Sequence, residues 1–297
     1  MAHNHHHHEH EPKSFGKAFA IGIVLNTLYV AIEAFYGFAV GSSALLADAG
    51  HNASDVFSLI LAWVAIWIAE KKPSGQYTFG LRKTTILASM FNGLLIIGAA
   101  GFILVDAIQK FKNPVEIPGN TLMIVAGIGI IINTGTALLF MKGQHDLNIK
   151  GAFLHMAADA AVTLGVLIGG LVMKFTGAYW VDPTLSIIIV VVILYGAWQL
   201  LSDSIKLAVD AVPNHIDYND VHTMLKELNG VEDVHDLHIW AMSTTETALT
   251  VHLVIPEGCE DEYIFKIRNE LKEKFGIDHT TLQIEKTFDD DEYREKI

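Results

Sequence analysis

Cysteine is almost absent. The one thiol, Cys259, excludes an intramolecular disulfide framework and a thiolate zinc site. A basic surplus is missing as well: 20 lysines and arginines face 33 aspartates and glutamates, a formal charge of −13. That balance disfavours DNA, RNA and anionic lipid surfaces as partners. The opening MAHNHHHHEH has no apolar run, so no cleavable leader is expected, and membrane insertion would rest on internal segments. There is no HExxH and no paired nucleophile and base, which points away from an enzyme. No internal repeat is evident.

Charge is also unevenly spread. Residues 1–206 hold 12 acidic and 12 basic side chains, whereas residues 207–297 hold 21 and 8. The whole negative charge therefore lies in the last third, a natural host for cations. The first two thirds supply the apolar residues. A membrane helix needs about 20 of them in succession, and six segments qualify: roughly 15–40, 44–69, 83–110, 120–141, 151–175 and 180–206. This reads as a polytopic α-helical membrane protein. An even number of spans places both termini on one side. That side would collect nine basic residues, among them Lys71, Lys72, Arg82 and Lys83, against Lys110, Lys112 and Lys174 on the other. The imbalance puts both termini in the cytoplasm.

From 207 the pattern becomes that of a small soluble domain. YNDVHTMLKELNG predicts an amphipathic helix, and VEDVHDLHIWAM and TALTVHLVIP alternate like strands. DEYIFKIRNELKEKF predicts a second helix closed by Gly276, and HTTLQIEKT a third strand. The order αββαβ suggests a three-stranded sheet with both helices on one face. Three parts result: a His-rich tail at 1–14, a membrane domain at 15–206, and a cytoplasmic domain at 207–297.

Two of the apolar segments carry the same signature. His51 and Asp55 lie in one, His155 and Asp159 in another. Residues four apart share a helix face, so each helix would offer an imidazole beside a carboxylate. Ionisable groups inside membrane spans are costly and mark ion pathways or proton relays. Two such pairs facing each other form an N2O2 set suited to a tetrahedral divalent cation, zinc above all. Asp48 shares that face as a spare ligand, a gating carboxylate or, the preferred reading, a helix N-cap. Asn26 and Glu33 face the bundle interior, with Glu33 either a structural hydrogen-bonding group or a proton relay. Asn92, Asn133, Thr134 and Thr136 are helix-packing contacts.

The soluble domain offers a second set. His235 and His238, three apart in a strand, should point to opposite faces, so they are not expected to share a metal. His252 and Glu285, on neighbouring strands, could join His235. His215 and His222 read as surface residues, and His279 is ambiguous. HNHHHHEH is short and interrupted, which favours a native zinc-collecting tail over a purification tag. Deleting residues 1–14 is expected to lower apparent zinc affinity without abolishing transport. Complete loss of transport in a folded protein, read by zinc flux, contradicts that role.

ALLADAGHNASDV, YTFGLRK, HMAADAAVTLGVLIGG, WVDPTLS and VHDLHIWAMS together resemble the cation diffusion facilitators, most closely their zinc-exporting branch. The resemblance covers nearly the full chain beyond residue 14. It implies a six-helix transmembrane domain, a ferredoxin-like cytoplasmic domain, a homodimer in a lipid bilayer, and exchange of Zn2+ for protons. The transport site it implies is His51, Asp55, His155 and Asp159. A cytoplasmic cluster maps onto His235, His252 and Glu285, with Gln283 where some relatives have histidine. Thr85 stands where many relatives carry glutamate, so no metal site is expected in the loop before it. The His-rich loop of some relatives is reduced to His145-Asp146. The short length favours a prokaryotic plasma membrane. Broader export of Cd2+, Co2+ or Fe2+ and a transport-free metal sensor are the competing readings.

Overall fold

The computed structural model describes residues 15–140 and 147–287. The tail at 1–14 and His145-Asp146 lie outside them. Six long helices come first: α1 (Phe15–Val40), α2 (Ser43–Ala69), α3 (Thr84–Lys112), α4 (Gly119–Phe140), α5 (Leu147–Thr176) and α6 (Val181–Ala208). Helices α2 to α6 contain stretches long and apolar enough to cross a membrane, while Val24–Val40 of α1 forms a shorter apolar stretch. Large apolar side chains such as Phe38, Phe102, Ile131 and Tyr195 point outward, each at least 74% exposed. In water such a surface would drive aggregation, whereas hydrocarbon solvates it.

The chain divides into two compact units, residues 1–59 with 95–197 and residues 60–94 with 198–297. In the first, Tyr29, Leu45, Leu122, Val125, Val166 and Met173 belong to one buried core. Glycine lets the helices meet. A Cβ on Gly129 of α4 would collide with the Tyr29 ring and the Thr163 methyl group, so α1, α4 and α5 converge only because that side chain is missing.

The second unit contains α7 (Tyr218–Lys226), β1 (Asp233–Ala241), β2 (Thr247–Val254), α8 (Asp261–Phe275) and β3 (Ile277–Glu285). The sheet order is β1-β2-β3, antiparallel between β1 and β2 and parallel between β2 and β3. Val221 and Leu225 of α7 and Ile267 and Leu271 of α8 share one core with Leu249, Val251 and Leu253 of β2. Both helices therefore cover one face, leaving the alternate residue His252 on the other. Asp217 caps α7 by accepting from the Asn219 N–H at 2.7 Å. Gly276, with φ 68°, ends α8 in a left-handed turn.

The sequence pattern misplaced one residue of β1. His235 pairs with His252 and His238 with Thr250, so two residues of β1, Asp236 and Leu237, oppose one of β2, Val251. This is a β-bulge. The extra residue resets the alternation and returns His238 to the face of His235, correcting the expectation of opposite faces. Within the same unit, the segment ahead of α3 reaches the β1–β2 turn. Arg82 pairs with Glu246 at 2.8 Å, and the Thr244 N–H donates to the Thr85 hydroxyl at 3.1 Å. Lys83 pairs with Asp210 at 2.7 Å. Exposed pairs of this kind are worth about 0–1 kcal/mol, so they set position more than stability.

Candidate metal centres

The first centre begins at the N-terminus of α2. Four backbone N–H groups there have no intrahelical partner. Ser42 accepts from the Leu45 N–H at 3.1 Å, and Asp182 in the first turn of α6 accepts from the Ser42 hydroxyl and, at 2.7 Å, from the Ser43 N–H. The Ala44 N–H lies 3.4 Å from the same carboxylate. The Ser43 hydroxyl donates to Asp106 at 2.6 Å, and Lys110 pairs with Asp106 at 2.7 Å. These contacts fix where α2 starts and hence where His51 and Asp55, about two and three turns later, are held.

The i, i+4 pairs of α2 and α5 meet crosswise. His51 Nε2 is 3.5 Å from Asp159, and His155 Nε2 is 3.2 Å from Asp55 and 3.6 Å from Asp159. The two imidazole rings lie 6.3 Å apart, edge to face. The ligand atoms of His51, Asp55 and Asp159 all fall within 4.8 Å of one another. Four ligands about 2.0–2.1 Å from a tetrahedral zinc ion sit about 3.3 Å apart. The three His–Asp separations, 3.2–3.6 Å, are close to that edge, while His155 lies outside the compact group. Asp159 is 1% exposed and His155 43%, so the site opens on its histidine side and closes on Asp159.

Beneath the site runs a buried polar network. The Thr163 hydroxyl lies 3.0 Å from Asp48 and 2.9 Å from the Asp159 carbonyl oxygen, and its one proton serves one of them at a time. Asn52 donates to the Asp48 carbonyl at 3.1 Å, and Tyr29 donates to Glu33 at 2.7 Å. Glu33 and Asp48 are both fully buried. The N-cap role expected for Asp48 is thereby corrected, because α2 starts five residues earlier at Ser43, with Ser42 as its cap. Asp48 instead joins α2 to α5 through Thr163. The sequence carried a signal for Thr163, which follows Asp159 by four residues on the same face.

The second centre lies on the open face of the sheet. His235 Nε2 and His252 Nδ1 lie 3.2 and 2.9 Å from the two oxygens of Glu285. Their rings are 5.1 Å apart, and these three residues form the other compact ligand group among the described residues. Gln283 donates to Glu285 at 2.7 Å, so it braces that carboxylate. Sequence reasoning did not single out Asp236, whose carboxylate lies 2.9 Å from His238 and 3.5 Å from His252. His222 stacks on Tyr218, and His279 meets the Phe79 ring edge to face; neither joins a cluster. Burial, then the nearby Asp261 charge, pushes the Cys259 thiol up, which makes it a poor thiolate ligand.

Residues 19–207 match the cation efflux transmembrane domain, and residues 213–287 the cytoplasmic domain of cation efflux proteins. The chain is 36% identical to the cadmium, cobalt and zinc/H(+)-K(+) antiporter of Bacillus velezensis, covering 96% of this chain and 92% of that protein. It is 34% identical to the metal cation efflux system protein CzcD of Cupriavidus metallidurans, covering 96% and 89%. The zinc transporter ZitB of Escherichia coli is 31% identical over 96% of this chain and 93% of its own length.

Proposed function

The chain belongs to the cation efflux family, the cation diffusion facilitators, and from that premise we propose that it exports Zn2+ from the cytoplasm in exchange for protons. It is an integral membrane transporter and not an enzyme. The observation that carries the zinc reading is the crosswise meeting of the two pairs, with His51, Asp55 and Asp159 in one compact ligand group and His155 beside Asp55 and Asp159 at 3.2 and 3.6 Å. Two imidazoles with two carboxylates suit zinc better than the larger or harder divalent ions.

The chemistry of those four residues also supplies the coupling. Neutral imidazole is the ligand, so the site takes the ion only after both histidines have lost their protons. On the far side protons compete for the same nitrogens and release the ion. The two carboxylates balance the +2 charge, or share the protons once the metal has left. Moving one charge against 100 mV costs about 2.3 kcal/mol, and two protons per zinc makes the cycle electroneutral. Alternating access of six membrane-spanning helices, α1 to α6, exposes the site to each side in turn, with both termini cytoplasmic.

The cytoplasmic part takes a ferredoxin-like fold and forms a homodimer. Residues 207–297 carry a net −13 in each copy, so two copies repel. Zinc held by His235, His252 and Glu285 reduces that repulsion. Zinc is therefore expected to draw the two cytoplasmic domains together, seen as a smaller radius of gyration of the full-length dimer in X-ray scattering. An unchanged radius in saturating zinc contradicts this regulatory role.

The reading is tested by zinc uptake into proteoliposomes under an imposed pH gradient. A transporter gives flux that follows the gradient, whereas a metal sensor gives none. Parallel runs with Cd2+ and Co2+, the ions named for the Bacillus relative, measure selectivity. Runs with and without K+ separate proton exchange from a mixed counter-ion.

A further inference from the structure

Between the histidines of the cytoplasmic cluster sits a residue in a backbone conformation that L-amino acids rarely adopt. Asp236 has φ 51°, and among the described residues only Asp210 is another non-glycine with positive φ. It lies in the β1 bulge between His235 and His238. A regular strand would turn Asp236 toward the helices and the apolar core, away from the histidines. The bulge brings its carboxylate to the open face, next to two imidazoles. One oxygen is 2.9 Å from His238 Nε2, and the other is 3.5 Å from His252 Nε2. The second nitrogen of His252, Nδ1, is the one beside Glu285, at 2.9 Å. Backbone strain concentrates where the surrounding structure needs a side chain in a particular place. Metal-binding histidines usually give their other N–H to a carboxylate, which fixes both tautomer and ring orientation.

We propose that Asp236 is the positioning residue of the cytoplasmic zinc site. Its carboxylate holds His252 in the Nε2–H tautomer, so that Nδ1 faces the metal together with His235 and Glu285. His238, 62% exposed, braces Asp236 from the solvent side. The inference rests on the reading of His235, His252 and Glu285 as a zinc site, and the test separates the two.

The experiment titrates zinc against a competing chelator in full-length protein, with Asp159→Ala present in every sample to silence the transport site. His252→Ala is the first control. Loss of one tight zinc per chain upholds the cytoplasmic site, and no loss overturns both the site and this inference. Asp236→Gly keeps the left-handed backbone but deletes the carboxylate, and is expected to weaken zinc about 10–100-fold. Asp236→Asn also tolerates that backbone and keeps an acceptor oxygen, so it recovers part of the loss. A purely structural role predicts near-parent affinity for both variants. If Asp236→Gly binds within about twofold of the parent while His252→Ala loses the metal, the inference falls and the site stands. Nitrogen-15 spectra of histidine-labelled, zinc-loaded protein read the tautomer directly. Ligation of His252 through Nδ1 with a protonated Nε2 is expected, and ligation through Nε2 overturns the proposal.

Discussion

Asp159→Ala is expected to abolish zinc transport. Asp159 is the one carboxylate at the site that touches both imidazoles, at 3.5 Å from His51 and 3.6 Å from His155. It is also almost fully buried, whereas Asp55 is 32% exposed and touches His155 alone. Removing a charged ligand to a dication away from water is worth at least about 3 kcal/mol, or about 100-fold in binding. Zinc flux into proteoliposomes should therefore drop to background in Asp159→Ala, with Asp55→Ala the milder variant. The folded state should survive, because no buried cation depends on Asp159. If Asp159→Ala transports zinc at more than about a tenth of the parent rate, the ion is bound elsewhere.

The second large effect comes from a residue that touches no metal. Asp182→Ala leaves the Ser43 and Ala44 N–H groups and the Ser42 hydroxyl without their acceptor. Loss of a helix cap with buried donors costs about 2 kcal/mol. The first turn of α2 then frays, and His51, little more than two turns later, loses its fixed distance from Asp159. Thermal unfolding should shift down and zinc flux should fall about tenfold, since small misplacement of reacting groups is costly. Asp182→Asn retains one acceptor oxygen and should recover part of both losses. Unchanged melting with unchanged flux in Asp182→Ala would show that α2 is held by its packing alone.

The candidate site on α2 and α5 was legible because its logic is local. His51 with Asp55, and His155 with Asp159, share a helix face by spacing alone, and burying such groups in an apolar span demands a purpose. The long apolar runs located α2 to α6 within a few residues, since hydrocarbon length sets helix length. The alternation in the last third gave the helix and strand order, and the parallel pairing of β3 beside β2 placed Glu285 near His252. What stayed hidden is what depends on distant contacts or on register. Asp182 caps a helix some 140 residues earlier in the chain, and no spacing rule reports that. Asp48 was assigned to a helix end although its span was placed from residue 44; its partner, Thr163, lies 115 residues away. The bulge at Asp236 is the clearest case. One extra residue reverses the strand alternation, so His238 was assigned to the wrong face, and the Asp236 carboxylate behind His252 went unnoticed.

Zinc and protons are expected to compete for the same two histidines and so to move in opposite directions. The most direct measurement encloses a zinc-sensitive and a pH-sensitive dye in the same proteoliposomes and records both during one flux. The account predicts that zinc entry is accompanied by proton exit at about two protons per zinc, the electroneutral ratio, and that both signals vanish together in Asp159→Ala. Zinc entry with no proton signal at any K+ concentration, or proton movement that persists without zinc, would contradict it.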